Sequence, residues 1–425
     1  MAVPTTEKGY ADTSSGWWAA PSDEETPELR WPLNMDVYDR MRRQDAQVIS
    51  VIRAVTLPIR RTRWWIDPNG ASPEVARQIA DDLGLQVVGD TDRPVLRTRD
   101  RFSWSEHLRH ALLMLTFGHS FFEQVYRIDD TGLARLRKLA WRPPKTISQV
   151  DVAADGGLVA IHQHSSGKGT VKIGVERLAA HVNDREGGNW LGQSLLRPAY
   201  KYWLLKDRLL RVQAQTVDRN GMGVPIYEAS KLPDSVTGED RTKREQDEID
   251  EGAKLAKGFR SGDNSGAAVP AGAKLTLKGV EGDLPDADKP IRYYDEQIAR
   301  AVLAHFLNLA TETGSWALGS TFADFFTLSL QTVANQIADT TTQHVIEDMV
   351  DINWGPNEPA PRLVFEEIGS RHPATAEAIR ALVECGAITA DAKLEEHLRT
   401  TYGLPVADPS TAREAKTPPT PTEAQ

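Results

Sequence analysis

A single cysteine, Cys385, in 425 residues leaves no partner for an intrachain disulfide and no thiolate set for a zinc cluster. Long apolar runs are missing too. The longest, Ala111-Leu112-Leu113-Met114-Leu115 with Thr116-Phe117 behind it, is far short of the roughly 18–20 residues that span a bilayer, so no membrane partner is expected. No basic segment followed by an apolar one opens the chain, and a secretory signal is not expected. A surplus of positive charge is also absent. The formal charge is −10, the wrong sign for a protein that gains affinity by laying Lys and Arg on phosphates. Repulsion of that sign suits a polymer that must slide without sticking.

Motifs for turnover chemistry are incomplete. A phosphate-cradling loop needs Gly, four residues, then Gly-Lys-Ser/Thr; around Gly167-Lys168 the first position is His162 and the last is Gly169. Gly192-Gln193-Ser194 begins like a nucleophile elbow, but Leu196 stands where the closing glycine belongs, and a helix cap accounts for the serine. His162 and His164 share a strand face without an acidic or thiolate partner at metal-ligand spacing. His107 and His110 read as an ordinary half-exposed helix face. The acidic run Glu245 to Glu251 reads as a solvated helix face, with a metal-dependent nuclease using Asp247 and Asp250 as the enzymatic alternative. No catalytic, cofactor-binding or metal-binding residue is expected.

What is present is a succession of distinct periodicities. The chain exceeds the roughly 250–300 residues at which one core stops growing, so several packed regions are expected. Residues 1–30 are polar and acidic apart from Trp17-Trp18, and read as a flexible arm. From Asp36 the apolar spacing predicts one helix ending near Pro58. Arg60-Arg61-Thr62-Arg63-Trp64-Trp65-Ile66 reads as a strand suited to nucleic acid or to another protein. Ser72-Pro73-Glu74 opens a short helix, and Ser103-Trp104-Ser105-Glu106 caps one running through Phe117. From Phe121 to Ile173 the period becomes two, predicting an antiparallel meander covered on one side by helices, with Asp129-Asp130-Thr131-Gly132 as its first turn.

The second half is helical around a polar insert. Gly188-Asn189-Trp190-Leu191-Gly192-Gln193-Ser194 leads into a helix predicted from Ser194 to Arg219, stopped by Asn220-Gly221-Met222-Gly223-Val224-Pro225. Short strands at Val224–Tyr227 and Lys274–Leu277 flank Gly238–Phe259, a helix so polar that it needs water or neighbouring chains around it. Ile298, Val302, Phe306 and Leu309 give one apolar helix face. Phe326, Leu330, Val333 and Ile337 give another after the small-residue loop Gly314 to Ser320. That helix stops at Asn353-Trp354-Gly355-Pro356, and Leu363-Val364-Phe365 reads as a strand returning to the first region.

The glycine-rich entry at Gly188–Pro198, the exit at Asn220–Pro225 and the Gly314–Ser320 loop before a very long helix together resemble the portal proteins of tailed bacteriophages. The resemblance spans about Trp31 to Pro405 and is nearest the Mu-like and actinobacteriophage branch. It implies an α+β portal fold. Residues 1–30 would be the arm, 31–190 an α/β wing, 191–220 the first stem helix, 221–290 an α/β clip and 291–310 the second stem helix. The tunnel loop would occupy 311–320, the long helix and return strand 321–370, a small helical crown 371–405 and a disordered tail 406–425. The resemblance further implies DNA-facing loop residues Thr313, Gly314, Ser315, Trp316 and Leu318, with Trp316 packed under the loop as the alternative. Ring contacts would come from Lys201, Lys206, Arg208 and Arg211, and the clip would present Arg241, Lys243, Arg244 and Glu248. The implied assembly is a homo-oligomeric ring of twelve at the capsid portal vertex of a virion, assembled in the host cytoplasm. Its implied partners are double-stranded DNA in transit, the major capsid protein or scaffold, the terminase large subunit and a head–tail adaptor. ATP hydrolysis would belong to the terminase. Another head–tail component, such as an adaptor, is the structural alternative.

Overall fold

The computed structural model describes residues 24–90, 95, 102–165, 167, 169–222, 224–231, 237–258, 268–278, 286–302, 316–369, 383, 394, 395 and 399. The chain divides into two units, Met1–Ile368 and Gly369–Gln425. The crown and tail expected in the second unit lie outside the described residues, isolated positions apart. The arm expected at 1–30 is described only from Glu24.

The first helix predicted from sequence is two helices, α1 (Asn34–Gln44) and α2 (Ala46–Arg61). Asp45 makes the break: its carboxylate accepts from the amides of Gln47 (2.8 Å) and Val48 (3.0 Å), satisfying donors that a helix N-terminus leaves free. Nor does α2 end at Pro58. Proline's fixed φ is compatible with helix, and Thr62 closes the last turn by donating its hydroxyl to the Pro58 carbonyl (3.0 Å). Arg60 and Arg61 are therefore helical and exposed, and the strand β1 is confined to Trp64–Asp67. Trp64 is buried against Trp104 and Phe365, so it is core and not a stacking platform.

Next come α3 (Pro73–Leu83), capped by Ser72, and the two-residue β2 (Gln86–Val87). Ser103 caps α4 (Trp104–Ala111), and a turn at Leu112-Leu113 separates it from α5 (Met114–Phe117). The strands are β3 (His119–Ile128), β4 (Ala134–Arg142), β5 (Ile147–Val152), β6 (Leu158–Ser165), β7 (Gly169–Gly174) and β8 (Leu178–Val182). They do not form one meander. After the 3-10 turn Val175–Arg177 the chain leaves β7 and pairs β8 with β3, giving two sheets, β4-β3-β8 and β5-β6-β7. Phe121 and Phe122 explain why the split is stable. Neighbours on a strand point to opposite faces, and these two, 0% and 1% exposed, enter separate apolar clusters.

The second half contains α6 (Tyr200–Met222), β9 (Val224–Glu228), α7 (Glu239–Gly258), β10 (Lys274–Lys278), α8 (Asp288–Ala301) and α9 (Trp316–Thr341). A π-helical turn, Thr342–Ile346, joins α9 to α10 (Glu347–Trp354), and β11 (Arg362–Phe365) pairs antiparallel with β1. The α6 helix starts six residues later than predicted because Ser194 is not its cap. The Ser194 hydroxyl donates to the Thr116 carbonyl (2.5 Å) and accepts from the Leu196 amide (3.0 Å), pinning the approach to α5.

The long helix begins earlier than predicted, so Trp316 to Ser320 are helical, while residues 311–315 lie outside the described residues. Trp316, Ala317 and Leu318 tolerate helix well, and the cost of Gly319, about 1 kcal/mol, is small in an element of 26 residues. From Trp316 to Trp354 the helical rod is about 60 Å long at 1.5 Å per residue. In the insert, β9 and β10 pair antiparallel, and α7 packs on β9. Gly252 makes that contact possible: a Cβ there would lie 2.1 Å from the Tyr227 ring.

Candidate functional site

The glycine-rich entry is threaded between the start of β3 and the end of β8. Gly192 has φ +62°, and a Cβ on it would lie 2.4 Å from the Gly118 carbonyl oxygen and 2.5 Å from that of Asn183. The Gln193 amide donates to the Asn183 carbonyl (2.9 Å), and the Asn183 side chain returns a bond to the Gln193 carbonyl (2.8 Å). Trp190 donates to the Gly156 carbonyl (2.9 Å), and Arg185 lies over its ring at 4.2 Å. Glycine is required here on two counts, left-handed backbone and close approach. Gly192→Ala should lower stability by about 2–4 kcal/mol, combining overpacking with backbone strain. Chemical denaturation checks this, and an unchanged midpoint would refute it.

At the root of α6 the sequence-derived residues separate into two groups. Lys201, Arg208 and Arg211 are exposed; Lys201 lies over Tyr202 (4.7 Å), and Arg211 pairs with Asp207 one turn earlier (3.0 Å). Lys206, expected on the same outer surface, is instead 7% exposed and bonded to Asp45 and Asp295. Sequence reading also missed the apolar part of that surface: Leu204, Leu205, Leu210, Val212 and Val217 are 41–64% exposed. The signal was there in Leu204-Leu205 and Leu209-Leu210 beside the buried Trp203, more apolar residues than one buried stripe can use.

In the insert, Lys243 and Arg244 are exposed and Arg241 pairs with Glu245 (3.2 Å). Glu248 is occupied within the chain. It accepts from the hydroxyl (2.7 Å) and amide (2.9 Å) of Ser230, and those bonds hold its carboxyl below the usual range. Asp250 accepts from Gln246 (3.1 Å) on the exposed face. Of the tunnel-loop residues, Thr313, Gly314 and Ser315 lie outside the described residues, and Trp316 and Leu318 fall in the first turn of α9.

The histidines are not ligands in waiting. His162 bonds Asp151 (2.8 Å), which also meets Lys172 (2.9 Å); these two bonds lower the Asp151 carboxyl to about 2. His110 stacks on Trp141 at 4.5 Å. His107, expected to be half exposed, is 3% exposed, with its ring 4.4 Å from Phe122 and 5.6 Å from His181. Among the described residues, no three His, Cys, Asp or Glu side chains are grouped to hold a metal ion. Among them, too, no helix is long and apolar enough to cross a membrane.

The arrangement thus offers surfaces and a rod, not a convergent catalytic cleft. The family model described as the portal protein of Mu bacteriophage matches residues 35–404. The chain belongs to this portal family. Solved structures similar to it include the virion of a native gene transfer agent particle, with 11% identity and TM-score 0.53 over 89% of this chain and 95% of that one. The neck of the empty particle, computed with C6 symmetry, gives 14% and 0.53 over 88% and 94%. The neck of the native particle, computed with C12 symmetry, gives 11% and 0.52 over 88% and 95%. At such identities the likeness concerns the fold, which is the mixed α and β portal fold. A portal is a structural component of the virion and not an enzyme, so the nuclease reading of Asp247 and Asp250 falls. Portal chains act as homo-oligomeric rings.

Proposed function

We propose that twelve copies of this chain form a ring at one capsid vertex, through which double-stranded DNA is packaged and later ejected. The wing, residues 31–190, faces the major capsid protein or scaffold. The stem consists of 191–220 and 291–310, and the clip at 221–290 presents Arg241, Lys243 and Arg244 to the terminase large subunit and afterwards to a head–tail adaptor. Residues 311–320 bring Trp316 and Leu318 to the channel mouth. Residues 321–370 brace that loop against the wing.

The observation that carries this reading is the apolar surface exposed along α6. On this helix of 23 residues Leu204, Leu205 and Val212 lie on the side away from the buried Trp203 and Lys206, and Leu210 and Val217 continue the Trp203–Lys206 side farther along; all five are exposed, more apolar surface than the described residues cover. A closed ring of identical neighbours covers such a face on every copy at once. The C12 symmetry of the gene transfer agent neck supports twelve as the number. Twelve copies at −10 each carry about −120, a field that discourages phosphates from sticking to the wall. Negative-stain microscopy of the purified chain should display rings with a central hole wide enough for a duplex. A strictly monomeric species across a wide concentration range would overturn the reading.

A further inference from the structure

Lys206 is a charged residue in an apolar place. It is buried on α6 one turn beyond Trp203, which with Tyr200 belongs to an apolar cluster that also holds Met41, Val48 and Ile298. Its ammonium lies 2.9 Å from Asp45 Oδ2, 3.1 Å from Asp45 Oδ1 and 2.5 Å from Asp295 Oδ1. Asp45 Oδ1 at the same time caps α2, and Asp295 belongs to α8, which packs on both α6 and α2. One cation therefore joins three elements that are distant in sequence: the N-terminus of α2, the second turn of α6 and the middle of α8. Burial alone would depress the ammonium, but the bonds to Asp295 and Asp45 outweigh it and leave its pKa above the usual value.

A buried ion pair is a poor source of net stability, because the desolvation of its charges cancels most of the attraction; well-packed apolar residues often do as well or better. What an ion triad adds is direction. An ammonium between two carboxylates holds one angle and one depth, whereas Met or Leu in the same volume permits neighbouring packings. The excess negative charge of the triad, two carboxylates against one ammonium, faces the partial positive charge at the α2 N-terminus.

We infer that Lys206 is the positioning residue of a wing–stem joint, fixing the rotation of α6 and the depth of α8 against α2. The inference rests on the stem reading above in one respect, the naming of α6 and α8 as stem. In a ring, every copy must present its stem at one angle for the channel to close, and the joint supplies that angle.

The test uses the full chain with Cys385→Ser and two introduced cysteines, Arg53→Cys on α2 and Gln215→Cys on α6, both at exposed positions. Spin labels there report the α2–α6 distance distribution by pulsed electron resonance, with labelled copies diluted into unlabelled ones. Lys206→Met combined with Asp45→Asn and Asp295→Leu removes the charges and keeps the cap acceptor and the packing volume. Its expected outcome is a melting midpoint near that of the parent with a distribution at least twofold broader. A parent-like width in that folded variant would overturn the inference. Should the triple variant fail to fold, Asp295→Asn, whose parent carboxylate is 29% exposed, weakens one arm only. It should broaden the distribution in a folded chain, and no broadening would equally overturn the inference. The distances are read whether or not rings form, so a failure of the portal-ring reading, seen by microscopy of the parent, is separable from a failure of the joint.

Discussion

Acidification from pH 7 to pH 4.5 should unfold the region built on β3 and β8. His107, His119 and His181 are wholly enclosed, and burial lowers all three: His119 to about 4, partly offset by its bond to the Leu191 carbonyl, His181 to about 3, and His107 well below its ordinary value. The folded chain keeps these rings neutral, while the unfolded chain takes up protons below about 6.5. Their contribution is therefore complete above pH 6.5 and is lost as pH falls toward the folded values. The loss is about 1.4 kcal/mol per histidine per pH unit, so His119 and His181 over two units give about 5–6 kcal/mol, and His107 acts in the same direction. That is comparable with the whole stability of a typical domain, about 5–15 kcal/mol.

One term opposes, and another of the same sign falls elsewhere. Asp348, raised by burial, gains stability on protonation, but it is one group. Asp39, held to about 2 despite desolvation by bonds from Lys145, Arg43 and Arg42, titrates below this window. Melting midpoints followed by tryptophan fluorescence across pH 7 to 4.5 check the slope, since Trp104 lies 5.3 Å from His107. His107→Phe should make it shallower. A flat profile down to pH 5 would contradict the expectation.

Leu205→Glu with Val212→Glu should convert rings into single copies without lowering the melting midpoint. The two positions are seven residues apart and share one side of α6, 46% and 48% exposed, so a carboxylate at either is solvated in the free chain. Burying such a charge against a neighbour costs several kcal/mol, or forfeits about 1.5–3 kcal/mol of apolar burial at each site. In a closed ring the penalty recurs at every interface, so even about 3 kcal/mol per contact multiplies twelvefold across the assembly. The expected result is all or none: rings for the parent, one slow-sedimenting species for the variant by analytical ultracentrifugation. Intact rings in the variant would remove α6 from the subunit contact.

The parts legible in the sequence are those whose causes are local. Ser72 and Ser103 cap helices within four residues of themselves, and the Asp129–Gly132 turn is closed by the carboxylate of Asp129. β5, Ile147–Val152, falls within the run of period two that the sequence places from Phe121 to Ile173. Leu363–Phe365 was legible as a strand returning to the first region because it is short, apolar and bounded by turn residues, though its antiparallel partner, Trp64–Ile66, was not. What escaped depends on partners far along the chain. Lys206 is a surface charge by pattern and a buried one only because Asp45 and Asp295 lie 161 and 89 residues away. His107 reads as one face of a short helix until β8 brings His181 over it. The predicted meander divides because β5 does not pair with β4, and β8, beyond the predicted run, joins β3 instead; alternation along one strand cannot specify such partners.

The π-helical turn between α9 and α10 has a consequence for how the sequence can vary in length. At that turn the His344 carbonyl accepts from Gln124 Nε2 (2.5 Å) and the Thr342 hydroxyl from the Leu363 amide (3.1 Å), so the irregularity is bonded to β3 on one side and β11 on the other. It also sets phase. A π turn holds one more residue than an α turn, and each residue advances a helix by about 100°. Ile337 and Ala338 before the turn, Val345 and Ile346 within it and Met349 and Val350 after it thereby enter the same core. Deleting one residue between 342 and 346 would leave a regular helix, well formed in itself, with its far end rotated by a quarter turn or more against the wing. Single-residue gaps should therefore be excluded from this stretch among related chains, while the long rod on either side changes length only in steps that restore its face.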